Sequence, residues 1–210
     1  MKLTKFGHAC VRVEKNGKVL VIDPGTFTDG AVLDGADTVL ITHEHADHVD
    51  VDKLKAASPD LEIWTCEGVA ADLTEVPAKV QVVRHGDDFE TAGFQVKVFG
   101  EWHAANHPDM PVVQNVGFLL DDELYYPGDS LFVPRAEVGT LLVPTGAPWL
   151  KLSEMVEFLR EIRPARAYST HDALYSEIGL GLVDRWLAIE AEHAGTDIRR
   201  IPVGESTTLS

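Results

Sequence analysis

Residues 38–50 run TVLITHEHADHVD, an apolar strand pattern followed at once by a dense group of metal-binding side chains. The stretch 38–42 is nearly continuously apolar, as expected of a strand buried on both faces. His43, His45 and His48 then fall within six residues, together with Glu44 and Asp47. Imidazole nitrogen and carboxylate oxygen are good ligands for zinc and similar ions. A straight strand turns successive side chains to opposite faces, so it cannot bring these groups to one point, whereas a loop at its end can. Histidine is an uncommon residue, and function concentrates on loops held by a rigid scaffold. A merely solvated His-rich turn is therefore the weaker account. Glu44, between the two leading histidines, reads as a surface or supporting residue and not as a ligand.

Upstream, residues 10–14 alternate, Asn16-Gly17 marks a tight turn and 19–22 continues as a strand, which together predict a hairpin. Asp23-Pro24-Gly25 breaks it. Downstream, 50–57 predicts a short helix, 62–65 a strand, 68–74 a helix, and 79–83 and 94–99 further strands. A second hairpin is expected from 116–120 and 124–126 about Asp121-Asp122, then a strand at 140–143. Residues 153–162 predict a helix with Ser153 as its capping signal and Pro164 beyond its end. A strand at 166–170, an amphipathic helix at 180–193 and a terminal strand at 198–203 complete the pattern. Two packed sheets with helices outside would account for it, in an α/β (α+β) chain forming one domain over 1–210. No linker or repeat divides the chain.

Three more candidate ligands follow predicted strands. His103 follows 94–99, Asp129 follows 124–126 with Gly128 permitting a tight turn, and His171 follows 166–170. Ligands at the ends of neighbouring strands can converge on one edge of a sheet. His107 competes with His103 for one position, but His103 lies nearer the strand end, and His107 is left to line a substrate pocket. His8 is either a core histidine or part of the site. Asp23 is either a turn residue or an acid orienting a ligand imidazole. Trp102, Met110, Phe132 and Trp149 offer apolar walls for a small organic substrate. Tyr175 offers a hydroxyl for an oxyanion.

The H-x-H-x-D-H pattern of His43, His45, Asp47 and His48 resembles the metal-binding motif of the metallo-β-lactamase superfamily. Gly7-His8-Ala9, Ile22-Asp23-Pro24, Gly117-Phe118 and Gly128-Asp129 are similar to its small lactonase-like branch of zinc-dependent hydrolases. The resemblance implies a four-layer αββα sandwich with the metals at one edge. It implies a first ion on His43, His45 and His103, a second on Asp47, His48 and His171, and Asp129 between them. Two such ions can share a water and lower its pKa toward about 7, giving a hydroxide nucleophile for a small ester, lactone or phosphoester. Asp47 then doubles as a proton shuttle. Oxygen and nitrogen donors without thiolate suit zinc first, then manganese or iron.

Bulk properties narrow the partners. Lys and Arg total 18 against 34 Asp and Glu, a net charge of -16. Such a surface repels phosphate backbones and anionic membranes, which disfavours a nuclease or phosphodiesterase on nucleic acid. No run approaches a membrane span and no secretory segment is evident, so the cytoplasm is the simplest location and a secreted β-lactam hydrolase is disfavoured. Cys10 and Cys66 read as buried free thiols. No G-x-S-x-G elbow provides a serine nucleophile. An iron-dependent redox enzyme on the same scaffold is the alternative from another class, although the full set of seven ligands favours two metals. A small-molecule substrate is expected, and self-association into a homo-oligomer stays open.

Overall fold

Side chains along the strands face two cores in turn, and this alternation sets the layers. In the computed structural model, which describes residues 1–209, the first sheet contains β1 (Lys2–Lys5), β2 (Val11–Lys15), β3 (Lys18–Ile22), β4 (Thr38–Ile41), β5 (Glu62–Thr65), β6 (Lys79–Val82) and β14 (Ser206–Thr208). The second contains β7 (Asp88–Thr91), β8 (Phe94–Phe99), β9 (Gly117–Leu120), β10 (Leu124–Tyr126), β11 (Thr140–Pro144), β12 (Arg166–Thr170) and β13 (Asp197–Arg199). The orders are β14-β1-β2-β3-β4-β5-β6 and β13-β12-β11-β10-β9-β8-β7. Helices α1 (Val51–Ala56) and α2 (Glu67–Asp72) leave the first sheet, and α3 (Leu152–Ile162) and α4 (Glu177–Ala194) leave the second.

Leu124 and Tyr126 of β10 pack into a core shared with Leu20, Ile22 and Leu40 of the first sheet. Tyr125, between them, packs instead with Met155 and Leu159 of α3 and Leu187 of α4. Phe118 and Leu120 of β9 likewise face the inter-sheet core, while Leu119 faces the helices. Leu54 of α1 and Val69 of α2 join the first core. The layers are helix, sheet, sheet, helix, the αββα sandwich expected above. Each fully buried Leu or Ile contributes about 1.5–3 kcal/mol by leaving water, so the doubly covered strands carry most of the stability.

Several local expectations need correction. Lys2–Lys5 and Asp88–Thr91 are strands that sequence patterning passes over, because both are short and rich in charge. Ser153 does not cap α3. The cap is Lys151, whose backbone N–H donates to Glu154 Oε2 at 2.9 Å. The helix predicted at 180–193 begins earlier, at Glu177, with Ser176 capping it. Of the terminal strand predicted at 198–203, only the first two residues are strand. β13 ends at Arg199, and β14 crosses to pair antiparallel with β1.

Strand direction places the loops. β3 and β4 are parallel, and β1 runs with them because β2 is antiparallel to both β1 and β3. In the second sheet β10, β11 and β12 are parallel, and β8 runs with them because β9 opposes both β8 and β10. The C-terminal ends of β1, β3 and β4 therefore share one edge, as do those of β8, β10 and β12.

Candidate metal centre

Each of these six strand ends delivers one part of the site. His8 follows β1, Asp23 follows β3, the 43–48 loop follows β4, His103 follows β8, Asp129 follows β10 and His171 follows β12. The loops are close-packed. Gly25 lies against the backbone of the 43–48 loop, where a Cβ would stand 2.0 Å from the Asp47 carbonyl oxygen. Gly128 adopts φ +64°, and a Cβ there would meet Asn115 Oδ1 at 2.4 Å. Asp23 and His171 are non-glycine residues at φ +50° and +59°. Such backbone costs on the order of 1–3 kcal/mol each and persists where surrounding contacts over-determine it.

The side chains converge in two groups. His43, His45, His103 and Asp129 form one, and the other is built from two trios that share His171, namely His48, Asp129 and His171 and His8, Asp47 and His171. His43 Nε2 lies 3.1 Å from His45 Nδ1. Asp129 stands between the groups, with Oδ1 3.2 Å from His48 Nε2 and Oδ2 3.3 Å from His103 Nε2 and 3.0 Å from His171 Nε2. Asp47 Oδ2 lies 3.4 Å from His171 Nε2, 3.3 Å from His8 Nε2 and 3.8 Å from His48 Nε2.

The other ring nitrogens fix the tautomers. His48 Nδ1–H donates to Asp23 Oδ2 at 2.6 Å and His171 Nδ1–H to the Gly146 carbonyl at 2.7 Å. His103 Nδ1–H donates to the carbonyl of Ala104. The Thr42 hydroxyl donates to Asp23 Oδ2 and so accepts from His43 Nδ1–H at 2.9 Å. All four rings thus turn Nε2 inward, the nitrogen that can offer a lone pair to a metal once it is deprotonated. The buried Nε2 atoms of His8, His48, His103 and His171 and Oδ1 of Asp129 make no well-formed hydrogen bond. Buried polar atoms are rarely left so. Ligands about 2.0–2.2 Å from one tetrahedral ion stand about 3.3–3.6 Å apart, close to the separations here. The chemistry and spacing of this donor set fit divalent metal.

Charge is distributed to match. Burial alone would raise the Asp129 carboxyl, but the charge on His48, with the rings of His103 and His171 beside it, outweighs that and holds it well below the usual range. Burial likewise acts against Asp47, which His171 and His8 nonetheless hold low. Burial lowers His43, with His48 nearby adding to the effect. His48 is pushed well above its ordinary value, because Asp129 and Asp23 overcome its burial. His171 reaches about 9 for the same kind of reason, with Asp129 and Asp47 opposing burial.

The centre opens into a cleft of about 730 Å³. Phe27, Met110, Pro148, Trp149 and Leu174 supply its apolar wall, and no Lys or Arg lines it. Trp149 Nε1 donates to Asp129 Oδ2 at 3.0 Å. Asp23 is fully buried and accepts from the Thr42 backbone as well as from His48, so it supports the 43–48 loop. His107 stands apart, its side chain 62% exposed beside Asp109, and it does not line the cleft. Tyr175 is also elsewhere, its hydroxyl donating to the Thr145 carbonyl. Trp102 and Phe132 lie outside the cleft, Phe132 packing near Phe99 and His85. Sequence patterning missed Asn115, which is fully buried, accepts from Asp129 N–H at 3.0 Å and donates to the Pro127 carbonyl at 2.9 Å. A lone Asn before a strand gives no signal of that role.

Comparisons with known proteins agree with this geometry. The family model described as the Beta-lactamase superfamily domain matches residues 2–171. Protein Rv0786c of Mycobacterium tuberculosis is 37% identical over 218 residues, covering 100% of both chains. A UPF0173 metal-dependent hydrolase of Flavobacterium johnsoniae is 29% identical over 70% of this chain and 72% of its own. Among solved structures, an isothiocyanate hydrolase from Delia radicum gut bacteria superposes with TM-score 0.76 at 19% identity, covering 100% of each chain. CmlA, a diiron beta-hydroxylase from Streptomyces venezuelae, gives TM-score 0.74 at 15% identity, over 99% of this chain and 54% of its own. At these identities the two structures share the fold alone.

Proposed function

Since this chain belongs to the β-lactamase superfamily and is a metal-dependent hydrolase of the metallo-β-lactamase fold, we propose that it holds two divalent ions and hydrolyses a small, uncharged ester or lactone. The supporting observation is the convergence of buried, inward-facing imidazole Nε2 atoms around a shared carboxylate, Asp129. His43, His45 and His103 would hold the first ion and Asp47, His48 and His171 the second, with Asp129 common to both. Two ions there would supply Lewis acidity and an activated water at neutral pH.

The chain's own residues do the rest. Asp23, through Thr42 and His48, keeps the rings of the metal loop in their ligating tautomer. Trp149 keeps one Asp129 oxygen in place. Asp47, half-buried at the cleft floor, is positioned to hold a proton during turnover. Phe27, Met110 and Leu174 exclude water from the acyl portion. A phosphoester is disfavoured because no cationic side chain lines the cleft and the chain carries a net charge of -16.

Elemental analysis of protein purified without added metal, followed by a chelator-controlled hydrolysis screen, tests this proposal. Near two equivalents of zinc or manganese and chelator-sensitive turnover of neutral esters or lactones is expected. Two equivalents of iron with no hydrolysis would overturn it in favour of oxidative chemistry. Preference for phosphoesters would overturn the substrate assignment.

A further inference from the structure

His8 is the histidine of this cluster whose hydrogen bonding is reversed. It is 1% exposed, and its Nδ1 lies 3.1 Å from the backbone nitrogen of Ala173. A backbone N–H can only donate, so Nδ1 is an acceptor and the neutral ring carries its proton on Nε2. That nitrogen faces the centre, 3.3 Å from Asp47 Oδ2. His43, His48, His103 and His171 are the opposite, each with Nδ1–H engaged, so that Nε2 is the nitrogen left to ligate a metal.

We infer that His8 serves the centre as a hydrogen-bond donor to Asp47 and not as a metal ligand. The inference rests on the two-ion reading above. The backbone on either side of this contact is tied together, since His171 N–H donates to the His8 carbonyl at 2.7 Å. The ring is held between Phe27, at 5.5 Å between centroids, and His171, at 3.9 Å. Turning it over would set two N–H groups against each other at Ala173. Asp47 needs such a restraint because its side chain is 23% exposed, the least enclosed carboxylate of the centre. His8 is thus a positioning residue. Its N–H holds Oδ2 of Asp47 toward His171 and leaves the carboxylate aimed at the second ion.

The test uses the full-length protein with ¹⁵N-labelled histidine and bound ¹¹³Cd. Scalar coupling to cadmium is expected at His43, His48 and His171, and none at His8, whose ring should show a protonated Nε2 and an unprotonated Nδ1. Coupling at His8 would overturn this inference alone. Absence of coupling at every histidine would overturn the two-ion reading and this inference with it. In variants, His8→Ala should keep both metal equivalents at saturation while weakening the second ion about ten- to a hundredfold. His8→Gln, which retains an N–H at the corresponding position, should recover most of that affinity. Equal losses in the two variants would overturn the donor role.

Discussion

The two halves of the candidate metal centre are assembled differently. His43 and His45 leave β4 in one short loop and need only His103 and Asp129 from the second sheet. The other half takes Asp47 and His48 from that loop but depends on His171 at the end of β12 and on His8 at the end of β1. His171 holds a left-handed backbone at φ +59°. It is kept there by its bond to the His8 carbonyl and by the buried ion pair of Lys5 with Asp172 just beyond it. The first half is largely local, whereas the second exists only where the edges of both sheets are sewn together. Ligands supplied by one loop are pre-assembled by the chain. Ligands supplied by distant strands must be held by contacts that repay the ordering.

The largest effect expected is that of Asp129→Ala, which removes the carboxylate common to both halves. Both equivalents of metal and all chelator-sensitive turnover should be lost, whereas His43→Ala and His171→Ala should each leave about one equivalent if the halves are separable. Two equivalents in Asp129→Ala, measured by elemental analysis, would remove Asp129 from the centre.

Lys5→Met sharpens the contrast. It leaves Asp172 as an unpaired buried carboxylate, which costs about 3–5 kcal/mol of stability. Denaturant titration should show this loss, and metal titration should show the second ion weakened while the first is held as before. Equal weakening of both ions would mean that the halves are not independently supported.

Proton release should be smaller but specific to the second half. Without metal, His48 and His171 are both held above their ordinary values, His171 at about 9. Both therefore carry protons at neutral pH that a metal must displace. Calorimetry in buffers of different ionisation enthalpy should record protons leaving as the second ion binds, and fewer as the pH is raised past 9. For the metal-free fold the sign is the same. A raised histidine contributes stability that is complete below its unfolded value near 6.5 and is lost as pH rises through about 9. Uptake without proton release would contradict this charge arrangement. The smallest effect is that of His107→Ala, which should leave metal content and activity unchanged, since the ring lies outside the cleft. His103→Ala should lose the first ion.

Much of the candidate centre was legible because its potential ligands are uncommon residue types gathered at strand ends. The H-x-H-x-D-H loop, Asp129 after Gly128 and His171 after the strand-like run 166–170 are each visible in the chain. His8 was ambiguous because its strand, Lys2–Lys5, carries lysines at both ends and lacks a strand signature. One of them, Lys5, is in fact buried against Asp172. Tyr175 was misplaced for a related reason. Its sequence distance from His171 is short, but the chain turns away and packs its ring against Gly146. Closeness along the chain is a poor guide beyond a strand end, where the loop can leave in any direction.

Periodicity and composition determined the alternation of buried strands with amphipathic helices, and residue chemistry determined which groups could bind metal. Those are local properties, set by burial of apolar faces and by the lone pairs that imidazoles and carboxylates offer. The edge on which six strand ends meet, the tautomer of each ring and the neutral wall of the cleft were decided only when the sheets packed. Each depends on which backbone carbonyl or N–H another strand brings alongside, and partners so far apart in the chain leave no pattern in it.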